Sequence, residues 1–180
     1  MPSHGYGADH FVIVSVTDSV TGNSPASVTT GLLDEAGMKA LAASMAASVK
    51  PPLVVYLEGD LGSGKTTFTR ALIHALGYPG RVKSPTYGLL ETYPLQSCNI
   101  VHLDLYRIVQ SGELEFLGIE DLLDEQSVFM IEWPDRGGPM LPAADLIIRF
   151  KHSSDARILD FVPQNHLAGA LCTEIAKLFQ

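Results

Sequence analysis

The sequence predicts an α/β fold of the P-loop NTPase type, with a mostly parallel sheet flanked by helices and an antiparallel hairpin at one edge. Three observations support this prediction. Apolar, strand-like runs alternate with helix-like segments early in the chain, which is typical of parallel sheets. One strand–helix junction carries a glycine-rich loop at 59–66. Late in the chain, the runs 146–150 and 157–161 flank a short polar turn and predict the hairpin.

Length and composition indicate one globular domain. The chain has 180 residues, of which 46% are apolar. Its net charge of -8 argues against a protein that binds nucleic acid through its own phosphate contacts. We place a single P-loop ATPase domain at 29–180. Residues 1–28 are rich in Gly, Ser, Thr and Pro and predict a flexible tail with one short strand at 11–14.

No signal peptide and no stretch of roughly 20 apolar residues is visible, so we expect a cytoplasmic protein without a membrane partner. The two cysteines, Cys98 and Cys172, show no metal-ligand spacing and should be reduced, buried thiols.

The individual elements follow from local signals. Asp34 is a good N-cap for a helix running to about residue 49, and the prolines at 51–52 end it. A buried strand at 53–57 leads into the loop, and a helix at 67–76 follows it. Further strands are predicted at 88–93, 100–104 and 128–132, with short helices near 111–115 and 119–123. The last helix, 165–180, has an apolar stripe of Leu167, Leu171, Ile175 and Leu178.

The loop is the strongest chemical signal. It fits the pattern G-x-x-x-x-G-K-[ST] at every fixed position. Glycines let the backbone surround a phosphate, and the helix N-terminus attracts the anion. Lys65 would reach the β- and γ-phosphates, while the Thr66 hydroxyl would ligate Mg²⁺. The predicted nucleotide-binding residues are Gly59, Asp60, Leu61, Gly62, Ser63, Gly64, Lys65, Thr66, Thr67 and Trp133.

Two acidic residues end apolar strands and are candidates for metal binding and catalysis. Asp104 ends the strand at 100–104, and Glu132 ends the strand at 128–132. Ligands bind at such strand ends in open α/β sheets, so one acid could assist the metal while the other orients the attacking water. The pattern does not assign the two roles. Thr86 follows a Ser-Pro turn and is either a switch-loop hydroxyl that senses the γ-phosphate or a turn residue.

These segments together resemble the bacterial TsaE family of ATPases. The resemblance lies in LEGDLGSGKTTF at 57–68, VKSPTY at 82–87, HLDLYR at 102–107, EFLGI at 115–119, IEWP at 131–134 and LP at 141–142. The blocks occur in the family's order and cover roughly 34–150. A P-loop alone is shared by many families, whereas the full set is far more specific.

The resemblance implies an ATPase that requires Mg²⁺, is slow alone and is stimulated by partners. It implies that Lys65 and the loop hold ATP, that Thr66 and Glu132 bind Mg²⁺, and that Asp104, Lys65 and Thr86 form the catalytic set. The implied partners are TsaD and TsaB, in a complex that forms threonylcarbamoyladenosine in tRNA and through which this chain meets tRNA indirectly. It also implies an adenine site near 34–37.

Other functions remain open at this stage. A small-molecule kinase would share the strand–loop–helix start but would normally need an arginine-rich lid, and no compact one is visible. A nucleotide-gated binding module with negligible hydrolysis would need Lys65 but not Asp104. A GTPase is disfavoured, because the sequence has no Asn-Lys-x-Asp motif for reading guanine.

Overall fold

The computed structural model describes residues 15–17 and 25–178, so the strand predicted at 11–14 lies outside the described residues. Within these ranges, no helix has the length and apolar character needed to cross a bilayer. The described residues form three α-helices and one eight-stranded sheet. In chain order they are β1 (Ser15–Thr17), β2 (Ser27–Thr29), α1 (Glu35–Met45), β3 (Leu53–Gly59), α2 (Lys65–Ala75), β4 (Leu90–Pro94), β5 (Asn99–Asp104), β6 (Ser127–Glu132), β7 (Leu146–Ser153), β8 (Ala156–Pro163) and α3 (His166–Lys177).

The sheet is mixed rather than mostly parallel. Its strand order is β1-β2-β8-β7-β3-β6-β5-β4. The three central pairs, β7–β3, β3–β6 and β6–β5, are parallel, whereas the four outer pairs are antiparallel. The prediction of a mostly parallel sheet was therefore correct for the centre only. Antiparallel neighbours need only a short turn, and β1 and β2, with three residues each, carry little sequence signal.

The β7–β8 hairpin forms as predicted but does not lie at the edge. β2 pairs with β8, and β1 pairs with β2, so two strands extend the sheet beyond the hairpin. Val28 in β2 is fully buried, and the predicted boundary of the tail at residue 28 falls inside this strand. The remainder of the predicted tail lies mostly outside the described residues.

The two faces of the sheet are covered differently. All three α-helices pack on one face, where Phe68 and Leu72 of α2 join Val55 and Leu57 of β3 in a single core. The alternate residues of the strands, such as Phe129, point to the other face. That face is covered by short 3₁₀ segments, including Ser111–Leu117 and Ile119–Leu122. The central strands β5 and β6 are thus buried on both sides, as their continuous apolar runs require, whereas β7 alternates buried and exposed residues.

The helix ends follow local sequence chemistry. The side chain of Asp34 accepts a hydrogen bond of 2.7 Å from the backbone N–H of Gly37, which confirms the predicted N-cap of α1. The predicted stripe of α3 is only half right. Leu171 and Ile175 are buried, but Leu167 and Leu178 are 78% and 43% exposed. The buried face is rotated and runs through Ala168, Leu171, Cys172, Ile175 and Ala176.

Candidate functional site

The candidate site lies where the carboxyl ends of β3, β5 and β6 meet. These strands are parallel, and their register places Asp104 directly beside Glu132 and Glu132 beside Leu57. The loop 60–64 leaves β3 at the same edge and enters α2. The glycine-rich loop, the two predicted acids and the start of a helix are therefore brought together by the topology of the sheet.

Two glycines of the loop adopt positive φ and have close neighbours. Gly59 has φ +143, and a Cβ there would lie 2.6 Å from the backbone oxygen of Phe150 on β7. Gly64 has φ +106, and a Cβ there would lie 2.8 Å from the terminal methyl group of Met38 on α1. At Gly59 the positive φ and the backbone oxygen of Phe150 both require glycine, whereas at Gly64 the positive φ alone requires it, because the end of the Met38 side chain could move aside.

Lys65 is buried among groups of the loop itself. Its side-chain nitrogen donates to the backbone oxygens of Gly59, at 2.6 Å, and Asp60, at 2.8 Å. The same nitrogen lies 4.2 Å from the centre of the Trp133 ring, in a cation–π arrangement. Burial lowers the pKa of Lys65, and the nearby carboxylates, Glu132 foremost, oppose that shift.

Thr66, Glu132 and His102 form a chain of hydrogen bonds that runs from the half-buried Thr66 to the fully buried His102. The Thr66 hydroxyl donates to Oε2 of Glu132 at 3.0 Å. The other carboxylate oxygen, Oε1, lies 2.8 Å from Nε2 of His102. Because a carboxylate oxygen accepts, Nε2 is the ring nitrogen that carries the proton. Nδ1 of His102 is the one buried side-chain nitrogen or oxygen without a partner in the part of the chain that the structure describes.

Asp104 connects the end of β5 to the loop before β4. Its Oδ2 accepts a hydrogen bond of 2.8 Å from the Thr86 hydroxyl, and its Oδ1 accepts one of 3.1 Å from the backbone N–H of Tyr106. The Ser84 and Thr86 hydroxyls lie 2.7 Å apart. The next residue, Tyr87, is 85% exposed. A carboxylate at the site is thus coupled to an accessible loop.

Trp133 has a strained backbone at the site. Its φ is +59, in the left-handed region that a bulky residue rarely adopts. The ring packs against Tyr106, with the ring centres 5.0 Å apart, and lies beside the Lys65 ammonium. Strain of this kind persists only where the surroundings fix it and tends to occur at functional sites.

A cleft of about 200 Å³ opens between these residues. Ten of the predicted site residues line it, together with Tyr106, which was not predicted. The lining consists of Leu61, Gly62, Gly64, Lys65, Thr66, Thr67, Thr86, Asp104, Tyr106, Glu132 and Trp133. The three predicted residues outside the lining contact Lys65 instead: Gly59 and Asp60 through their backbone oxygens, and Ser63 through its hydroxyl at 3.3 Å.

Arg157 also contacts the loop, although no sequence pattern predicted it for the site. Nε of Arg157, on β8, donates to the backbone oxygen of Ser63 at 3.1 Å, across 94 positions of sequence. Arg157 stands in an ordinary amphipathic strand, where no local pattern distinguishes it. Its proximity to the loop follows only from the order of the strands and could not be read from spacing.

Comparison with known proteins identifies the family. The family profile described as "Threonylcarbamoyl adenosine biosynthesis protein TsaE" matches residues 32–159. The tRNA threonylcarbamoyladenosine biosynthesis protein TsaE of Haemophilus influenzae is 44% identical over 115 residues, which cover 64% of this chain and 73% of the relative. The protein of the same name from Bacillus subtilis is 36% identical over 140 residues, or 77% and 87% of the two chains.

A solved structure supports the same relationship. The crystal structure of Bacillus subtilis YdiB aligns with a TM-score of 0.68 and 26% identity, covering 94% of this chain and 99% of that one. The family match spans most of the chain and includes the loop, both acids and Trp133. The chain therefore belongs to the TsaE family.

Proposed function

We propose that this chain binds ATP with Mg²⁺ and hydrolyses it slowly to support the formation of threonylcarbamoyladenosine in tRNA, in a complex with TsaD and TsaB. The pathway comes from the family and from the names of its relatives. One observation carries the biochemical part: a buried ammonium, a hydroxyl and two carboxylates converge at the N-terminus of α2. This is the set of groups that phosphoryl transfer requires.

The loop fits a chain of phosphates. The first backbone N–H groups of α2 have no partner within the helix and carry its partial positive charge. Lys65 adds a full positive charge beside them and is only 4% exposed, so water screens it weakly. The start of α1 adjoins the loop through Met38, which contacts Gly64. The adenine site expected near 34–37 would thus lie next to the phosphate cradle.

The oxygen donors fit Mg²⁺. Thr66 Oγ1 and Glu132 Oε2 are hard oxygen ligands that already lie 3.0 Å apart, and this cation is usually held by one or two protein groups together with phosphate oxygens. The contact with Thr66 favours Glu132 over Asp104 as the metal-binding acid. Thr66 and Glu132 would hold the cation, which would supply positive charge to stabilise the negative charge that develops on the transferred phosphate.

Asp104 is then free for the second role. Its carboxylate lines the cleft and retains acceptor capacity beyond the bonds from Thr86 and Tyr106. We assign it to orienting the attacking water and accepting its proton, a type of contribution worth typically 10²–10⁴-fold in rate. Because Thr86 holds Asp104, the position of the 84–88 loop and the competence of this carboxylate are linked.

The role within the complex is to reset it between turnovers. The net charge of -8 suits a protein that acts on partner proteins and meets tRNA indirectly. We also propose a cytoplasmic location, because the proposed function is the modification of tRNA. Hydrolysis would change the state of the 84–88 loop and thereby the contact with the partners, as in switch proteins.

The deciding experiment is multi-turnover formation of threonylcarbamoyladenosine on tRNA. TsaD, TsaB and threonylcarbamoyl-adenylate are supplied at fixed ATP and Mg²⁺, with this chain, without it, or with its Lys65→Ala variant. We expect sustained product only with the unmodified chain. Equal product in all three arms, with ATP still bound, would contradict the proposal and favour the small-molecule kinase, to be followed by a screen of acceptors.

A further inference from the structure

Arg157 reaches the phosphate loop from a strand that has no other part in the site. Its Nε donates to the Ser63 carbonyl oxygen at 3.1 Å. The backbone N–H and C=O of Arg157 are both bonded to Leu33, at 2.7 and 2.8 Å. The strand therefore fixes the Cα of Arg157 on two sides, and the guanidinium is presented to the loop from a rigid base.

The contact determines which way one peptide group of the loop faces. The Ser63–Gly64 peptide is planar and trans, so its C=O and N–H point in opposite directions. Arg157 holds the carbonyl on the side of β8, and the N–H of Gly64 must then point away from β8. Gly64 is the N-cap of α2 and lines the cleft, so that direction leads towards the phosphate cradle.

Without such a contact, this peptide would be free to turn over. Gly64 has φ +106, and glycine populates positive and negative φ about equally. A flipped peptide would present an oxygen to the phosphate instead of a donor. The hydrogen bond from Arg157 to the carbonyl oxygen stabilises one orientation of the peptide and also polarises its N–H into a stronger donor.

We propose that Arg157 is a positioning residue of the nucleotide site, holding the Ser63–Gly64 peptide so that the Gly64 N–H is aimed at a phosphate of a nucleoside di- or triphosphate. This inference rests on the proposed function, since it requires a bound phosphate. It assigns no direct contact between Arg157 and the nucleotide. The hydrogen bond, rather than the charge, is what the site needs from this side chain.

Three substitutions separate the effect of the Arg157 hydrogen bond from the effect of its charge. The amide nitrogen of glutamine is as many bonds from Cα as Nε of arginine, so Arg157→Gln keeps the donor and removes the charge. Arg157→Met has the same reach without a donor. Arg149→Met is the matched control, because Arg149 lies on the neighbouring strand β7 and its Nε bonds Glu58, at 2.9 Å, instead of the loop.

The test is ADP binding by titration calorimetry, with and without Mg²⁺, supported by the amide resonance of ¹⁵N-labelled Gly64 in the ADP complex. In the unmodified chain, we expect the Gly64 amide resonance to move downfield on ADP binding, because the N–H donates to a phosphate. We expect Arg157→Met to weaken ADP binding tenfold or more in both conditions and to lose this downfield shift. Arg157→Gln should stay within about threefold of the unmodified chain, since a hydrogen bond to a carbonyl does not need the full charge. Arg149→Met should be unchanged.

Two results would overturn the inference while leaving the proposed function intact. One is unchanged ADP affinity in Arg157→Met, and the other is equal weakening in Arg157→Gln and Arg157→Met, which would make the charge the important property. If Arg157→Met fails to fold, Arg157→Asn can replace it in the comparison with Arg157→Gln, because the asparagine side chain is too short for its amide to reach Ser63. Failure of the unmodified chain to bind ADP would overturn both proposals.

Discussion

The buried hydrogen bond between His102 and Glu132 should support both the fold and the proposed Mg²⁺ site, and two similar substitutions isolate it. His102 is fully buried and Glu132 is 2% exposed, with Nε2 and Oε1 2.8 Å apart. The amide nitrogen of glutamine is as many bonds from Cα as Nε2 of histidine, whereas that of asparagine corresponds to Nδ1. His102→Gln can therefore still donate to Glu132, and His102→Asn leaves Oε1 without a partner.

The difference between the two variants follows from the burial of the carboxylate. A hydrogen bond to a charged group contributes about 1.5–3 kcal/mol, and a buried acceptor left without a partner loses at least that much. We expect His102→Asn to have a free energy of unfolding about 2 kcal/mol below that of His102→Gln. For a chain of this length, that difference corresponds to a Tm lower by about 4–8 °C.

Thermal unfolding in EDTA measures the stability, and a Mg²⁺ titration of the ADP complex measures the metal site. We expect His102→Asn to require about tenfold more Mg²⁺ than His102→Gln, because groups that orient a metal ligand typically change affinity by 10–100-fold. His152→Asn, at an exposed position of β7, is the control and should alter neither quantity. Equal Tm and equal Mg²⁺ requirement in His102→Asn and His102→Gln would refute the reasoning.

Three further predictions test the site and the core. Lys65→Ala should lose most nucleotide affinity, so the stabilisation by ADP in a thermal shift assay, about 2.7 kcal/mol at a hundredfold excess over Kd, should disappear; an undiminished shift would contradict the phosphate role. Asp104→Asn should bind ADP normally but hydrolyse ATP at least about 10²-fold more slowly in a phosphate-release assay, and parallel loss of binding would make the residue structural. Burial raises the pKa of Cys172 from its ordinary value of 9.0 to about 12, so the unfolded chain ionises first and stability should fall as pH rises between these values. This thiol should lower the free energy of unfolding by up to about 1.4 kcal/mol per pH unit. In urea unfolding, the free energy of unfolding of Cys172→Ala should therefore fall less steeply with pH than that of the unmodified chain. Identical slopes against pH in the two proteins would contradict this prediction.

The parts of the fold that the sequence predicts are those with local causes. Asp34 caps α1 by bonding a backbone group three residues away, and the glycine loop forms between adjacent elements. Both acids were found because each ends an apolar strand. The parallel register then brings Asp104 beside Glu132, a pairing that strand-end reasoning anticipates for parallel neighbours.

The parts that escaped prediction depend on contacts between distant segments. β2 is three residues long, and its place in the sheet is set by pairing with β8, more than 120 positions away. The contact of Arg157 with Ser63 needs that same strand order. For the two acids, the residue patterns left the roles open and the family resemblance implied them; the structure adds that Thr66 is bonded to Glu132 and Thr86 to Asp104.

The contacts at the site also give a physical reason for the slow, partner-stimulated ATP turnover that we propose. The Lys65 ammonium already has two carbonyl partners and lies against an aromatic ring. A phosphate that binds Lys65 must replace the carbonyl partners. The net gain in binding free energy is therefore only the difference between a hydrogen bond to a charged acceptor and one to a neutral acceptor. Asp104, the carboxylate assigned to the water, is oriented by Thr86, whose neighbour Tyr87 is 85% exposed. A partner that contacts Tyr87 would move the loop and, through Thr86, the carboxylate. Catalytic competence would then depend on an external surface, which is the property expected of an ATPase whose hydrolysis serves a complex.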